Sequence, residues 1–483
     1  MISTMSGSWM PPSHPQSGKL HSELLVEFGL AVASAGVCLL FAFSPLSLGI
    51  VLAVVFVYIT IRWTDFLFYT MLAMSPLIFW LPYNLPVRDL ATIAHLGSML
   101  GIALVRLAKR RSILQWLFGV RFNWLVCIYA VVAVISLLHS GNFTKSAQRS
   151  LLRLGSYIAF YLAIVGWLQT EDQLRKTVLA LLGSTLAVSV FGIFQELAGD
   201  YTPIYWWFYT ADATTLAWSG RITSFLNYSN SLAGYLNILL PLGLGCMLTS
   251  TSRGVRTLGT ASTALGSIAM VLTQSRGGLL ALAITFLLGI WYLIEDRKKR
   301  ALLLTGYVVA LPVVLAAVTL YSARLGSVDS QDTFGRMVLW ISAWILFLSA
   351  PVIGIGYGNF RESFDTEFVG AARGSLDAHN LYLQLLSETG VIGFLSFCAM
   401  CGSAILQAVK CLRTRPSEWR RIVCFAALCA IVSVLIHGWV DFLFEVSVQF
   451  GSIFWAMLAL LTVSTSPPWL GKTTELNTTN PQI

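Results

Sequence analysis

Apolar runs separated by short polar connections occupy almost the whole chain between residues 28 and 464. They fall at 28–43, 46–62, 66–82, 91–107, 122–139, 154–169, 177–195, 231–249, 257–273, 278–294, 302–320, 391–409, 422–437 and 450–464. At 1.5 Å per residue, each is close to the about 20 residues an α-helix needs to cross a hydrocarbon layer. A bilayer core offers no water to backbone N–H and C=O groups, so all must be bonded within the run, which selects helices. The pattern predicts fourteen spans, or twelve if the first pair, split at Ser44-Pro45, is a hairpin that does not fully cross.

Two segments break the pattern, 197–230 and 321–390. The second contains RMVLWISAWILFLSA (336–350), apolar but short for a span and followed by Pro351, which reads as a helix lying along the membrane surface. The first carries Tyr201, Tyr205, Trp206, Trp207, Phe208, Tyr209 and Trp218. Such rings suit an aromatic belt at the membrane surface or a platform on which sugars or a prenyl chain stack. Residues 1–27 read as a polar cytoplasmic tail without a cleavable signal peptide, and 465–483 as a disordered cytoplasmic tail. Between them, 28–464 forms one polytopic membrane domain. The fold class is an all-α integral membrane protein of 12–14 transmembrane helices, with a large extracytoplasmic loop, 321–390, containing short interfacial helices.

Composition agrees with this reading. Of 483 residues, 56% are hydrophobic and 11% charged, and the mean hydropathy of +0.74 lies far from that of a soluble domain. The net charge of +9 does not point to nucleic acid as a partner, because Lys and Arg concentrate in alternate short loops, as they do on the cytoplasmic side of a bilayer. With the N-terminus inside, 21 of the 31 fall on that side, the strongest clusters being EDRKKR (295–300) and KCLRTRPSEWRR (410–421). The same parity places 197–230 and 321–390 outside. The eight cysteines lie in or beside spans, so no disulfides are expected, and Cys398-Ala-Met-Cys401 sits in an apolar helix with no thioredoxin-like context. Cys and His at zinc spacing are absent, as are acidic motifs with obvious metal geometry.

Three residues at the outer edge stand out. Arg221, in SGRITSFLNYSNSLAGY, precedes a span among Asn227 and Asn230. Arg276, in TQSRGGLLAL, sits where Gly277-Gly278 lets the chain reverse and exposes backbone amides to an anion. His379, in DAHNLYLQLLSETG, opens a helix for which Asp377 is the expected N-cap. At that terminus the helix dipole favours a neutral imidazole, titrating below about 6.5, although Glu388 or a bound diphosphate would push the other way. Ionisable groups among apolar helices are costly without a partner. The arginines are therefore expected to meet a ligand phosphate or carboxylate, or an internal acid such as Asp332 or Glu388; Arg336 is a further supporting cation. PVIGIGYGNF (351–360) lacks the strand and helix of a dinucleotide fingerprint and reads as a turn-rich loop that shapes a site.

Taken together, GRITSFLNYSNSLAGY, TQSRGGLLAL, FGRMVLWISAWILFLSAPVIGIGYGNF and DAHNLYLQLLSETGVIGF resemble, in order and separation, the bacterial O-antigen ligase and polymerase family over about 215–400. The family's asparagine motif often has Pro after Asn, where this chain has Tyr228. The resemblance implies a multi-pass inner-membrane glycosyltransferase acting at its extracytoplasmic face. Its donor would be an undecaprenyl-diphosphate-linked glycan, its acceptor lipid A-core or another glycan. It implies that Arg221 and Arg276 hold the donor diphosphate and that His379 serves the acceptor. Such a transfer needs a base for the acceptor hydroxyl and fixed positive charge for the departing diphosphate, so no cofactor and no metal are expected. A polymerase of lipid-linked repeat units for O-antigen, capsule or exopolysaccharide, or an enzyme that glycosylates protein, would use the same residues. A transporter or flippase would instead place its charges near the midplane.

Overall fold

A computed structural model describes residues 64–73, 75–78, 121–168, 170–199, 220–226, 228–294, 296–324, 330–367, 377–414 and 416–465. The predicted spans 28–43, 46–62 and 91–107, the aromatic segment 201–218 and the tail lie outside them. The described residues are mostly helical, with no strand among them: α1 (Thr64–Ala73), α2 (Ser75–Ile78), α3 (Arg121–Ser140), α4 (Lys145–Trp167), α5 (Glu171–Ala198), α6 (Ser229–Thr249), α7 (Arg253–Leu272), α8 (Arg276–Leu293), α9 (Arg297–Arg324), α10 (Ser330–Ser349), α11 (Phe360–Glu367), α12 (Leu381–Arg413), α13 (Glu418–His437), α14 (Leu443–Val446) and α15 (Val448–Thr465). Eight of these helices are long and apolar enough to cross a membrane, and α3 adds a shorter apolar helix, Trp124–Ser140.

The chain is an integral membrane protein, and its burial pattern shows how the bundle is layered. Helix α6 is enclosed along nearly its whole length, from Ser229 to Cys246, and α15 from Gln449 to Ser464. Apolar residues cover both all round, as a helix surrounded by other helices requires. Outer helices keep an apolar face exposed instead, such as Val190, Phe194 and Leu197 on α5 or Leu302, Val308 and Val313 on α9. On a membrane protein that surface meets lipid.

Connectivity sorts the polar residues into two ends. One end holds Arg253 and Arg256 at the start of α7, Lys410 and Arg413 at the end of α12, and Arg420 and Arg421 at the start of α13. There Glu418 accepts hydrogen bonds from Ser250 Oγ (2.9 Å) and Thr251 Oγ1 (3.0 Å), joining α13 to the end of α6. The opposite end holds Arg221, the α7–α8 turn, His379 and the residues after α13.

At that second end α12 bends. Gly390 adopts φ 61° and ψ −169°, outside the helical region, so Leu381–Thr389 and Val391–Arg413 are two arms of one element. The bend frees the amides of Val391 and Ile392, which bond to the carbonyls of Pro351 (2.9 Å) and Val352 (3.3 Å). Ile355 and Gly356 donate in return to Ser387 O (2.9 Å) and Glu388 O (3.0 Å). The glycine-rich stretch 351–360 is thus a backbone clamp on the kink. Helix α10 leads into this clamp, while Arg336 at its other end donates to Val440 O (3.0 Å), beyond α13. Both ends of α10 therefore abut the same end of the bundle. Leu339, Ala343 and Leu346 pack on Phe360, Phe364 and Ala378, and Met337, Ile341, Trp344, Ile345 and Leu348 face outward.

A Cβ on Gly354 would fall inside the Glu388 carbonyl, at a backbone φ of 84° that L-residues rarely adopt. Gly354→Ala should cost about 2–4 kcal/mol from the strained conformation and the overpacking together. Thermal unfolding of the purified protein measures this; an unchanged transition would show that the clamp is not a stability element.

Candidate active site

Three strained residues mark the site. Among the described residues, Ser224 (φ 54°), Gln274 (φ 54°) and His379 (φ 47°) are the non-glycine positions with positive φ. Each lies within a few residues of one of the three residues singled out from sequence: Arg221, Arg276 and His379 itself. Such backbone costs on the order of 1–3 kcal/mol per residue and persists only where its surroundings hold it. The holding is visible. Gln195 Oε1 accepts from Thr223 N (3.2 Å) and Ser224 N (2.7 Å), and Ser224 Oγ donates to Val188 O (2.7 Å), which fixes the segment carrying Arg221. In the α7–α8 turn, Ser275 caps α8 by accepting from Gly278 N (3.3 Å).

His379 precedes α12, whose N-cap is Asn380 rather than the expected Asp377: Asn380 Oδ1 accepts from Tyr382 N (3.0 Å) and Leu383 N (3.1 Å). Asp377, fully buried, turns the chain instead, its Oδ1 accepting from His379 N at 2.7 Å. Asn380, with φ −157° and ψ 114°, has the extended backbone of a cap and directly precedes the first helical residue, whereas Asp377 lies three residues further upstream.

The partner of His379 is a residue that sequence reasoning did not single out. Asp441, four residues past the end of α13 and 4% exposed, places Oδ1 at 3.0 Å from His379 Nδ1. The same oxygen accepts from Phe442 N (2.9 Å), and Oδ2 accepts from Asn230 Nδ2 (2.7 Å). Asn230 Oδ1 in turn accepts from Arg221 NH2 (2.9 Å), and Arg221 Nε donates to Thr273 O (2.8 Å). A continuous polar chain thus runs Thr273–Arg221–Asn230–Asp441–His379, drawing on the α7–α8 turn, the segment before α6, and the residues flanking α12 and α13. The turn that carries Asp441 is locked by its own backbone: Gly438 O accepts from Leu381 N (2.7 Å), Trp439 O from Asn380 Nδ2 (2.9 Å) and Val440 O from Arg336 NH1 (3.0 Å).

The remaining sequence candidates divide. Arg276 opens α8 with its side chain exposed, and no hydrogen bond or ion pair joins it to the described residues. Arg336 reaches the Asp441 turn. Glu388 lies apart from the histidine, its Oε1 accepting from Phe360 N (3.2 Å) and Gln384 Nε2 (2.8 Å), while Gln384 Oε1 accepts from Ala378 N (2.7 Å). It therefore supports the backbone of the His379 segment and does not act on the imidazole. Asp332 lies in the first turn of α10, and Asn227 lies outside the described residues.

This geometry reverses the expected charge of His379. Burial opposes the imidazolium and Arg336 adds to that, but the Asp377 charge and the hydrogen bond and charge of Asp441 outweigh both and raise the ring to about 9. A helix terminus acts as roughly half a charge, whereas two full carboxylates stand 3.0 and 3.4 Å from Nδ1. On Asp441, burial favours the protonated form, but the hydrogen bond and charge of His379, with the charges of His437 and Arg336, hold the carboxyl well below the usual range. With Nδ1 committed to Asp441, Nε2 is the nitrogen left for a substrate, the arrangement of a base oriented by a carboxylate. Asp377, His379 and Asp441 are close enough together to share a cation. However, both Asp441 oxygens already accept protein hydrogen bonds and the cationic Arg336 is close by, so the set fits an imidazolium better than a metal.

Comparison with protein families matches residues 261–398 to the model described as O-antigen ligase. No curated protein matches the chain. The matched region contains Arg276, Arg336 and His379 and stops short of Arg221, Asn230 and Asp441 on either side.

Proposed function

We propose that this chain, whose residues 261–398 match the family model described as O-antigen ligase, transfers a glycan from a polyprenyl diphosphate to an acceptor hydroxyl in surface-polysaccharide biosynthesis. The polar chain from Arg221 to His379 carries this reading, because it joins a diphosphate-binding cation to a carboxylate-oriented imidazole at one end of a membrane bundle. The donor is an undecaprenyl-diphosphate-linked glycan and the acceptor lipid A-core or a similar saccharide. The reaction takes place at the outer face of the inner membrane, the end opposite the clusters that the positive-inside rule assigns to the cytoplasm.

In this mechanism the acceptor hydroxyl bonds to Nε2 of neutral His379, which removes its proton as the oxygen attacks the anomeric carbon. Asp441 holds the ring through Nδ1 and stabilises the imidazolium that forms. The glycosyl–phosphate bond breaks as the new bond forms, and the diphosphate leaves with its charge held by Arg276 and Arg221. Arginine forks can replace a divalent cation in that role, so the transfer is metal-independent. Joining lipid-linked repeat units would use the same steps with a different acceptor.

The pH profile tests the base assignment. A ring that titrates at about 9 is protonated at neutral pH, so only its minor neutral fraction can accept a proton. Transfer should rise about tenfold per pH unit below that value and level off above it. A rate that falls as pH passes 9 would make His379 a diphosphate-holding cation instead. For the donor site, Arg276→Lys should lose most activity although the charge remains, since an ammonium cannot grip two phosphate oxygens in one plane. Retained activity in Arg276→Lys together with loss in Arg276→Ala would show that charge alone suffices.

A further inference from the structure

His437 closes the last turn of α13 at 3% exposure, and its Nδ1 is buried without a hydrogen bond. The Cδ2–Nε2 edge of the ring faces α8: a Cβ on Gly277 would stand 3.1 Å from Cδ2 and 3.6 Å from Nε2. The His437 carbonyl accepts from both Val440 N (3.0 Å) and Asp441 N (3.1 Å), so the turn bearing Asp441 hangs from this residue. His437 and Asp441 line one small cavity, together with Leu381, Val434, Gly438, Leu443, Phe444 and Phe450, with room for about one water molecule. A buried polar atom left unbonded costs the full desolvation of that atom, so an unbonded imidazole nitrogen on a residue that lines such a cavity calls for a ligand.

We propose that this cavity is a built water site, in which a bound water links His437 to Asp441 and makes His437 a positioning residue for His379. The proposal rests on the reading of His379 as the reacting group. A hydrogen bond donated through the water stabilises the Asp441 carboxylate and so weakens its pull on the His379 proton. The charges around the pair are Asp377, Asp441 and Arg336, with Arg221 reaching Asp441 through Asn230. None of these is altered by changing His437. Removing the imidazole should therefore strengthen the Asp441–His379 interaction and raise the pH at which His379 loses its proton.

The measurement is an NMR titration of histidine-labelled full-length protein in lipid nanodiscs, with His379 assigned by its loss in His379→Asn. In His437→Phe the proton affinity of His379 should rise, by about threefold or more, because a carboxylate that loses a hydrogen bond pulls harder on the proton beside it. In His437→Gln, which keeps a polar group, it should stay near wild type. In the unmodified protein, the His437 ring nitrogens should exchange magnetisation with a bound water. An unchanged His379 titration in folded His437→Phe would overturn the proposal. Should that variant fail to fold, a dry His437 ring in the wild type would overturn it. Neither readout requires transfer, so a failed glycosyltransferase reading would show separately, as loss of activity coupling with an intact His437–His379 response.

Discussion

Replacing His379 with alanine should slow glycan transfer by about 10²- to 10⁴-fold, the usual contribution of a general base, while leaving donor binding nearly intact. The variant also tests a structural alternative. His379 occupies φ 47°, and its ring holds Asp441, so a loss of activity on its own could reflect a collapsed turn. His379→Asn separates the two. Asparagine tolerates the left-handed region better than alanine and can still donate to Asp441, but it cannot take a proton. Equal losses in both variants, with unchanged thermal transitions and unchanged donor affinity, assign the effect to chemistry. Recovery of turnover in His379→Asn would show that the residue is a backbone device and would remove the base from the mechanism.

Asp441→Asn should reduce turnover by about 10²- to 10⁴-fold, because an amide neither fixes the tautomer of the imidazole nor stabilises the imidazolium that forms in the transition state. The direction of the accompanying pH shift is specific. His379 is raised to about 9 by Asp377 and Asp441 against burial and Arg336. Loss of one carboxylate leaves the opposing influences in place, so the rising limb should move to lower pH. A merely structural role would lower the rate without moving the limb. The variant also leaves Asn230 and Arg221 without the carboxylate at the end of their chain, so donor affinity should fall together with turnover. An unshifted limb would sever Asp441 from His379 and leave it a fold residue.

The two residues were unequally legible for a physical reason. His379, Arg221 and Arg276 stood out because each is an ionisable group at the edge of an apolar run, where hydrocarbon makes charge expensive. The same rule applies to Asp441, directly after the run 422–437, and in HGWVDF it was the available signal. What hid it is distance along the chain: 62 residues separate it from His379 and 211 from Asn230, and only tertiary packing brings α12, α13 and α6 together. The charge of the histidine was illegible on the same ground, since the helix dipole is local and the decisive carboxylate is not. Spans were legible because an apolar run of about 20 residues can bury its backbone in lipid only as a helix. Predicted runs from 122 onward correspond to helices, and 391–409 proved to be the longer arm of a helix that begins at Leu381, with the kink set by Gly390. The N-cap misassignment had a smaller cause: Asp377 and Asn380 are both capable caps, and the choice depends on backbone angles that tertiary contacts decide.

The three left-handed residues Ser224, Gln274 and His379 bear on how this protein can be engineered. Each holds a conformation that glycine adopts without steric penalty, so among the described residues the simplest stabilising substitutions lie at the one end where stabilisation is least useful. Glycine there would relieve the backbone but also loosen the segments that aim Arg221, Arg276 and the imidazole. A tougher variant should therefore be sought at the basic end and along the lipid-facing helices, where no described non-glycine residue holds a left-handed backbone.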